Sequence, residues 1–328
     1  MGEFELLAKV RERLGAPGPR VHLGSGDDAA VTVPGGATAT SVDALVEGVH
    51  FRRDTASPTQ IGHKALATAL SDLAAMGAEA GEAYVVLGLP ADLGEPACLE
   101  LADGMAALAE RTGTTIAGGD VSRAPALTLA VTVVGHAARP EDMVSRGGAR
   151  PGDVLVLTGE LGGAAAGLAL LENPSLAAAV DAETAARLRR RQLEPQPRLG
   201  AGRALAGAGA RAMIDLSDGL GGDAAHLALA SGARLEIEAG SLPLAKGVAE
   251  IALALGTEPL ELASSGGEDY ELLAALPAER LAEATSGIAA REATTLGQIG
   301  TVVAGEGVEI RLPGGAKLDA RGFDQLGR

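Results

Sequence analysis

The amino-acid sequence predicts two domains of mixed α/β, or α+β, construction. Three observations carry that expectation. The chain has 328 residues, more than one ordinary hydrophobic core accommodates. Strand-length apolar runs and longer amphipathic runs follow one another without strict alternation. Near the middle, Gly, Arg and Pro cluster at 147–151, which places the expected domains at 1–148 and 149–328.

Residues 4–14 put Phe4, Leu7, Val10 and Leu14 on one helical face, and Gly15 stops the helix. A Gly- and Asp-rich loop at 24–28 comes next, then short strands over 29–33 and 37–42 around the turn Pro34-Gly35-Gly36. Ser57-Pro58 opens a long apolar helix, with Ser57 as cap and Pro58 in the first turn. That helix carries one carboxylate, Asp72, near its end, where the helix dipole disfavours negative charge. A partner, a bound cation among the options, would relieve it. A strand over 84–89, a helix over 96–111 closed by Gly113, a strand over 114–117, the turn Gly118-Gly119-Asp120 and a strand over 127–134 complete the first half. In the second half, a strand spans 153–158 and Ala-rich helices run to about 208, broken at Pro195 and Pro197. Strands over 212–216, 234–238 and 270–275, helices over 219–230 and 249–255, and a β-like stretch over 294–312 follow. The triplet Leu70-Ser71-Asp72 returns as Leu216-Ser217-Asp218, a faint sign of internal duplication.

Composition narrows the function. Apolar residues make up 47% but aromatics only 2%, and Trp is absent, so the cores must be built from Ala, Leu and Val. A net charge of −16 argues against nucleic acid or an anionic membrane as partner. Cys98, the single cysteine, excludes an intrachain disulfide and a zinc cluster, and reads as a small core residue. The N-terminus lacks the basic and apolar segments of a signal peptide, and no apolar run reaches spanning length, so a cytoplasmic protein is expected.

The chemistry lies in carboxylates set among Gly and apolar residues: Asp27, Asp28, Asp43, Asp72, Asp120, Asp215, Asp218, Asp223, Glu268 and Asp269. Several follow a strand, where ligand sites are usually built. Oxygen donors without His or Cys clusters select a hard cation, with Mg²⁺ first. Read singly, each Asp is equally well a turn former or a helix cap. No P-loop motif exists, and two G-x-G-x-x-[GA] matches, at 24–29 and 207–212, stand in the wrong context for a dinucleotide fingerprint. Gly118-Gly119-Asp120 could admit phosphate oxygens to its backbone N–H groups. Arg146 is suited to bidentate phosphate contact or to a solvated linker. His50, in Glu47-Gly48-Val49-His50-Phe51, fits a hydrogen-bonded structural role.

Together these segments resemble the thiamine-monophosphate kinase family, within the aminoimidazole-ribonucleotide-synthetase-like ATP-binding proteins. The matching stretches are Gly2-Glu3-Phe4, Gly26-Asp27-Asp28-Ala29, Val42-Asp43, Glu47 through Phe51, Lys64-Ala65-Leu66 through Met76-Gly77 and Gly118-Gly119-Asp120. They continue as Ser145-Arg146-Gly147, Pro151-Gly152-Asp153, Ile214 through Leu220, and Ser265-Gly266-Gly267-Glu268-Asp269-Tyr270-Glu271-Leu272, in family order over nearly the whole chain.

The resemblance implies an ATP-dependent kinase that converts thiamine monophosphate to thiamine diphosphate with several Mg²⁺ ions. It also implies a homodimer of two-domain subunits in which an N-terminal mixed sheet contributes to an interface barrel and the C-terminal domain is an α/β sandwich. By the same resemblance, Asp28, Ser41, Val42 (through its carbonyl), Asp43, Asp72, Asp120, Asp215 and Asp218 match metal positions. Asp72, Asp120 and Asp218 are the expected catalytic centre. Gly119, Asp120, Arg146 and Ser217 match nucleotide contacts, and His50, Glu268 and Phe323 match the substrate side. Arg111-Thr112 stands where relatives often place an aromatic before the Gly-Gly-Asp strand, and the tail lacks the Trp of some relatives.

Two other readings compete. Selenophosphate synthetases and hydrogenase-maturation carbamoyl dehydratases share the superfamily, but they use a reactive residue near the N-terminus or a C-terminal Cys, and Cys98 is in neither place. A non-catalytic cation-binding protein would leave the Arg146 loop and the Gly-Gly-Asp turn without a task.

Overall fold

The computed structural model describes residues 3–16, 18–24, 29–318 and 322–323. The expected sites Asp27 and Asp28 lie outside the described residues. The chain forms two compact units, one of Met1–Leu73 with Ala78–Pro140, the other of Ala74–Gly77 with Glu141–Arg328.

The N-terminal unit opens with helix α1 (Glu3–Leu14) and a short antiparallel pair, β1 (Val21–Leu23) and β2 (Val31–Thr32). The expected strand over 29–33 is thus reduced to two residues, and β1 had no clear signal in so short a run. β3 (Ala37–Val46) enters the main sheet, followed by helix α2 (Pro58–Ala75), β4 (Glu79–Leu89), helix α3 (Glu95–Thr112), β5 (Thr115–Arg123) and β6 (Thr128–Ala137). The four strands lie in the order β3-β6-β4-β5. Only β4 and β5 are parallel, joined through α3 as a βαβ crossover.

α2 begins as its sequence directs. The Ser57 Oγ accepts from the Gln60 N–H at 3.3 Å, and Gln60 Oε1 accepts from the Ser57 N–H at 3.1 Å, a reciprocal capping box. Leu66, Leu70 and Leu73 are fully buried along it, each contributing about 1.5–3 kcal/mol. α2 and α3 touch backbone to backbone. A Cβ on Gly62 would lie 2.0 Å from the Leu101 carbonyl oxygen, and one on Gly104 would lie 1.9 Å from that of Thr59. Larger residues at either position would push α2, and Asp72 with it, away from its neighbour. Cys98, on α3, is buried as expected.

Two expectations need correction. Gly118-Gly119-Asp120 is not a turn: it continues β5, opposite Tyr84, Val85 and Val86. Gly119 is needed for the close approach of the two strands, since a Cβ there would lie 2.0 Å from the Val85 carbonyl oxygen. Asp43 likewise does not end its strand. β3 runs on to Val46 because β6 offers a partner at every position down to Thr128.

The C-terminal unit is built on a seven-stranded sheet. Its first members are β7 (Val154–Thr158) and, after helices α4 (Gly163–Glu172), α5 (Ala182–Leu193) and α6 (Leu199–Gly207), β8 (Ala212–Asp215). Helix α7 (Leu220–Ser231), β9 (Arg234–Glu238), α8 (Val248–Leu255), α9 (Pro259–Ser265), β10 (Leu272–Leu276), α10 (Leu281–Ala289), β11 (Leu296–Val303), β12 (Gly307–Arg311) and β13 (Lys317–Leu318) follow. The strand order is β13-β12-β9-β11-β7-β10-β8, antiparallel except between β12 and β9. Pro195 and Pro197 separate α5 from α6, as expected. The two Leu-Ser-Asp triplets have different settings, one inside a helix and one in a strand-to-helix loop, so they are not a repeated element. The core of this unit is Leu, Ile, Val and Ala, including Leu155, Leu157, Leu188, Ile214, Leu227 and Leu273. Among the described residues no helix is long and apolar enough to cross a membrane.

Candidate active site

In the N-terminal unit the sheet sorts the expected ligands by face. Side chains alternate along a strand, and paired residues point the same way. Asp43 therefore shares a face with Val131 and Val85, which are buried. Ser41 lies two residues before it on that face, and its hydroxyl donates to Asp72 Oδ2 on α2. Ser41, Asp43 and Asp72 thus belong to the helix-covered side. Asp120 falls on the opposite face, in line with Val86, Ala130 and Ala44, and accepts from the Ser122 hydroxyl at 2.9 Å. The Val42 side chain, 65% exposed, also belongs to that open face.

His50 follows β3 in a loop whose conformation is set by Glu47. One Glu47 oxygen accepts from the Leu127 N–H at 3.1 Å, and the other accepts from Arg53 at 2.6 Å. The His50 Nδ1 accepts from the Val46 N–H at 3.1 Å, which places the ring proton on Nε2 in the neutral tautomer. His50 is therefore built to donate from Nε2.

In the C-terminal unit β8 ends at Asp215 and delivers Leu216-Ser217-Asp218 into the loop before α7. Two segments far away in sequence are hydrogen-bonded to this loop. The Glu268 N–H donates to the Ser217 carbonyl at 2.9 Å, and the Phe323 N–H donates to that of Asp218 at 2.9 Å. The structure thereby gathers Asp215, Ser217, Asp218, Glu268 and Phe323. The Phe323 ring is exposed. Arg146 is exposed as well, in a loop tied to β8 by the Met213 N–H, which donates to the Ser145 carbonyl at 3.0 Å.

Asp223, in the first turn of α7, accepts from the Asp218 N–H at 3.0 Å. Its burial, together with the neighbouring Asp215 and Asp218 charges, pushes its pKa up to about 8. A cation at this loop would reverse the repulsion. Among the described residues no three His, Cys, Asp or Glu side chains form a ready-made metal clasp.

The segment carrying Glu268 is strained and firmly held. Glu268 and Tyr270 adopt φ values of +67° and +51°, uncommon for residues other than Gly. Asp269 caps α4, accepting from the Gly162 N–H at 2.6 Å and the Ala164 N–H at 3.0 Å. Burial pushes its pKa up to about 6 against the opposing pull of Arg191. Glu271, fully buried, takes a bidentate contact from Arg198 at 2.7 and 2.6 Å, with Arg191 at 3.1 Å and the Thr158 hydroxyl at 2.7 Å. Burial works against the Arg198 charge, but Glu271 and then Glu292 outweigh it and hold the guanidinium above its ordinary pKa. The Gln192 amide donates to Glu268 Oε2. Arg191, Gln192 and Arg198 escaped the sequence reading, because in Arg189-Arg190-Arg191-Gln192 a run of charge looks like a solvated helix face.

Comparison with known proteins gives the family. Residues 26–137 match the AIR synthase related protein N-terminal domain, and residues 150–313 match the corresponding C-terminal domain. The chain is 42% identical over 276 residues to thiamine-monophosphate kinase of Mycobacterium tuberculosis, covering 84% of this chain and 80% of that one. The thiamine-monophosphate kinase structure from Stenotrophomonas maltophilia superposes with a TM-score of 0.82 at 34% identity, covering 94% of this chain and 96% of the other. AaThiL complexed with AMPPCP and TMP superposes with a TM-score of 0.78 at 30% identity, covering 99% of this chain and 97% of the other. On its two-domain fold, its domain matches and these relatives, the chain belongs to the thiamine-monophosphate kinase family of AIR synthase related proteins.

Proposed function

We propose that this chain transfers the γ-phosphoryl group of ATP to the phosphate of thiamine monophosphate, giving thiamine diphosphate and ADP. The observation that carries the reading is the loop after β8. There Asp215 and Asp218 crowd Asp223, and Ser217 and Asp218 hold the segments of Glu268 and Phe323 through backbone hydrogen bonds. Family membership supplies the substrates, since AaThiL was solved with AMPPCP and TMP together.

The acceptor simplifies the chemistry. A phosphomonoester has a second pKa of about 6, so it is largely a dianion at neutral pH and needs no general base. The obstacle is bringing two polyanions into line. Magnesium ions, when bound, supply the neutralising charge, and Asp28, Ser41, the Val42 carbonyl, Asp43, Asp72, Asp120, Asp215 and Asp218 are the groups to hold them. Gly119, Arg146 and Ser217 serve the nucleotide. Arg146 offers a planar fork of donors matched to phosphate oxygens. On the substrate side, His50 is to donate from Nε2, Glu268 to offer a carboxylate to a ring that is itself a cation, and Phe323 to offer an apolar face. Transfer is direct, without a phosphoenzyme.

The working form in this reading is a homodimer in the cytoplasm, built from domains at 1–148 and 149–328. Val42 and Val86, 65% and 46% exposed, lie on the open face of the four-stranded sheet and support a partner there.

The reading is tested by ADP release from ATP and Mg²⁺ with thiamine monophosphate, thiamine or no acceptor. Turnover only with the monophosphate, abolished in Asp72→Asn, is expected. Equal release with every acceptor, or recovery of phosphorylated protein after one turnover, would contradict it.

A further inference from the structure

We infer that Gln192 is a positioning residue that fixes the Glu268 carboxylate for the cationic ring of the substrate, an inference that rests on the substrate-side reading of Glu268 above. Gln192 is 4% exposed, on the last turn of α5. Its neighbour Arg191 secures that turn, donating to the Glu160 carbonyl at 2.7 Å and to Glu271 at 3.1 Å. A carboxylate can only accept, so the Gln192 Nε2 faces Glu268 and the amide oxygen points elsewhere. That oxygen is buried and has no hydrogen-bond partner.

Two unfavourable features therefore meet at adjacent groups. A buried acceptor is left unsatisfied, and the residue it steadies has a left-handed backbone. A Leu or Met at 192 would fill the same space without an orphaned oxygen. What Gln provides instead is a donor that carries no charge. Asp269 and Glu271, which follow in the same segment, receive guanidinium groups from Arg191 and Arg198. A neutral amide donor can hold the Glu268 carboxylate in place without adding a charge of its own. The thiazolium ring of thiamine monophosphate is permanently positive, so a carboxylate held in a fixed direction is what it requires.

Four variants test this: Gln192→Met, Gln192→Leu, Glu268→Gln and the swap Gln192→Glu with Glu268→Gln. KM for each substrate, kcat and melting temperature are measured. In Gln192→Met, KM for thiamine monophosphate should rise about tenfold, the cost of a hydrogen bond to a charged group, with KM for ATP unchanged. Gln192→Leu should behave alike. The swap keeps a hydrogen bond between the two side chains but moves the charge, so it should melt like the parent and keep the weak KM. A merely structural Gln192 would instead lower the melting temperature and leave the two KM values in proportion. A swap that restores KM would overturn the inference even if the single variants fold poorly. An unchanged KM in Gln192→Met and Gln192→Leu, beside a raised one in Glu268→Gln, would overturn it alone. An unchanged KM in Glu268→Gln would remove the reading on which it rests.

Discussion

Two buried groups of carboxylates lie within one unit and are treated in opposite ways. Glu271 is surrounded by Arg198, Arg191 and a threonine hydroxyl, and every contact comes from the chain itself. Asp223 has backbone N–H groups for partners and two like charges, Asp215 and Asp218, for neighbours. Glu271 belongs to the architecture. In the proposed reading, Asp223 belongs to a place where charge is balanced by a bound cation. The difference teaches that burial alone does not mark a functional acid. The sign of its neighbours does.

The comparison can be broken most forcefully at Glu271. Glu271→Gln takes the closest carboxylate from both Arg198 and Arg191, leaving Glu292 to hold the Arg198 guanidinium, and should cost up to about 3–5 kcal/mol of stability in urea unfolding. A loss under about 1 kcal/mol would mean that water already screens the pair.

Asp218→Asn should give the reverse pattern. Its kcat should fall at least about 100-fold, roughly 2.7 kcal/mol of transition-state stabilisation, while stability holds or rises. Loss of stability with activity intact would place Asp218 with Glu271.

The titration of Asp223 sharpens the contrast in chelator-treated protein. Its folded-state pKa of about 8 lies above its ordinary value of 3.8, so between those limits the folded chain keeps a proton that the unfolded chain has released. This contribution to stability is complete below pH 3.8 and is lost as pH rises toward 8. Asp223→Asn should remove that part of the slope, visible as a difference between paired unfolding curves at pH 5 and pH 8. Parallel curves would show that neither burial nor the Asp215 and Asp218 charges raise its pKa.

Glu309 provides the mildest case. Hydrogen bonds from Lys317 and Arg311 at the sheet edge pull its pKa down to about 2 from 4.5. The stability it adds is present above pH 4.5 and is lost as pH falls through about 2. The carboxyl resonance in an NMR titration should therefore remain that of the ionised form at pH 3. Protonation near the ordinary value would show the contacts to be transient.

What was legible in the sequence was local. The Ser57-Pro58 start of α2 is a capping signal over four residues, and the helix formed where it pointed. Asp72 was conspicuous because its helix is otherwise almost without charge. The misread elements depend on partners elsewhere. Gly118-Gly119-Asp120 looks like a turn until β4 is laid beside it, and Asp43 looks like a strand end until β6 extends the ladder. Helices α9 and α10 passed unread because each is short and interrupted by Ser, Thr or Gly. The clamp on Glu268, Asp269 and Glu271 joins residues 73 to 80 positions apart, beyond any periodic pattern. Nothing marks Gln192 as different from the arginines before it.

The strained segment also has a practical consequence. The chain contains no Trp and only two Tyr, Tyr84 and Tyr270. Tyr84 lies on β4 in one unit, and Tyr270 stands two residues from Glu268 in the other. Each unit therefore contains a single intrinsic fluorophore, unmasked by indole emission. With Tyr84→Phe, the remaining ultraviolet emission reports from the Glu268 segment alone, and ligand-linked motion there can be followed without attaching a dye.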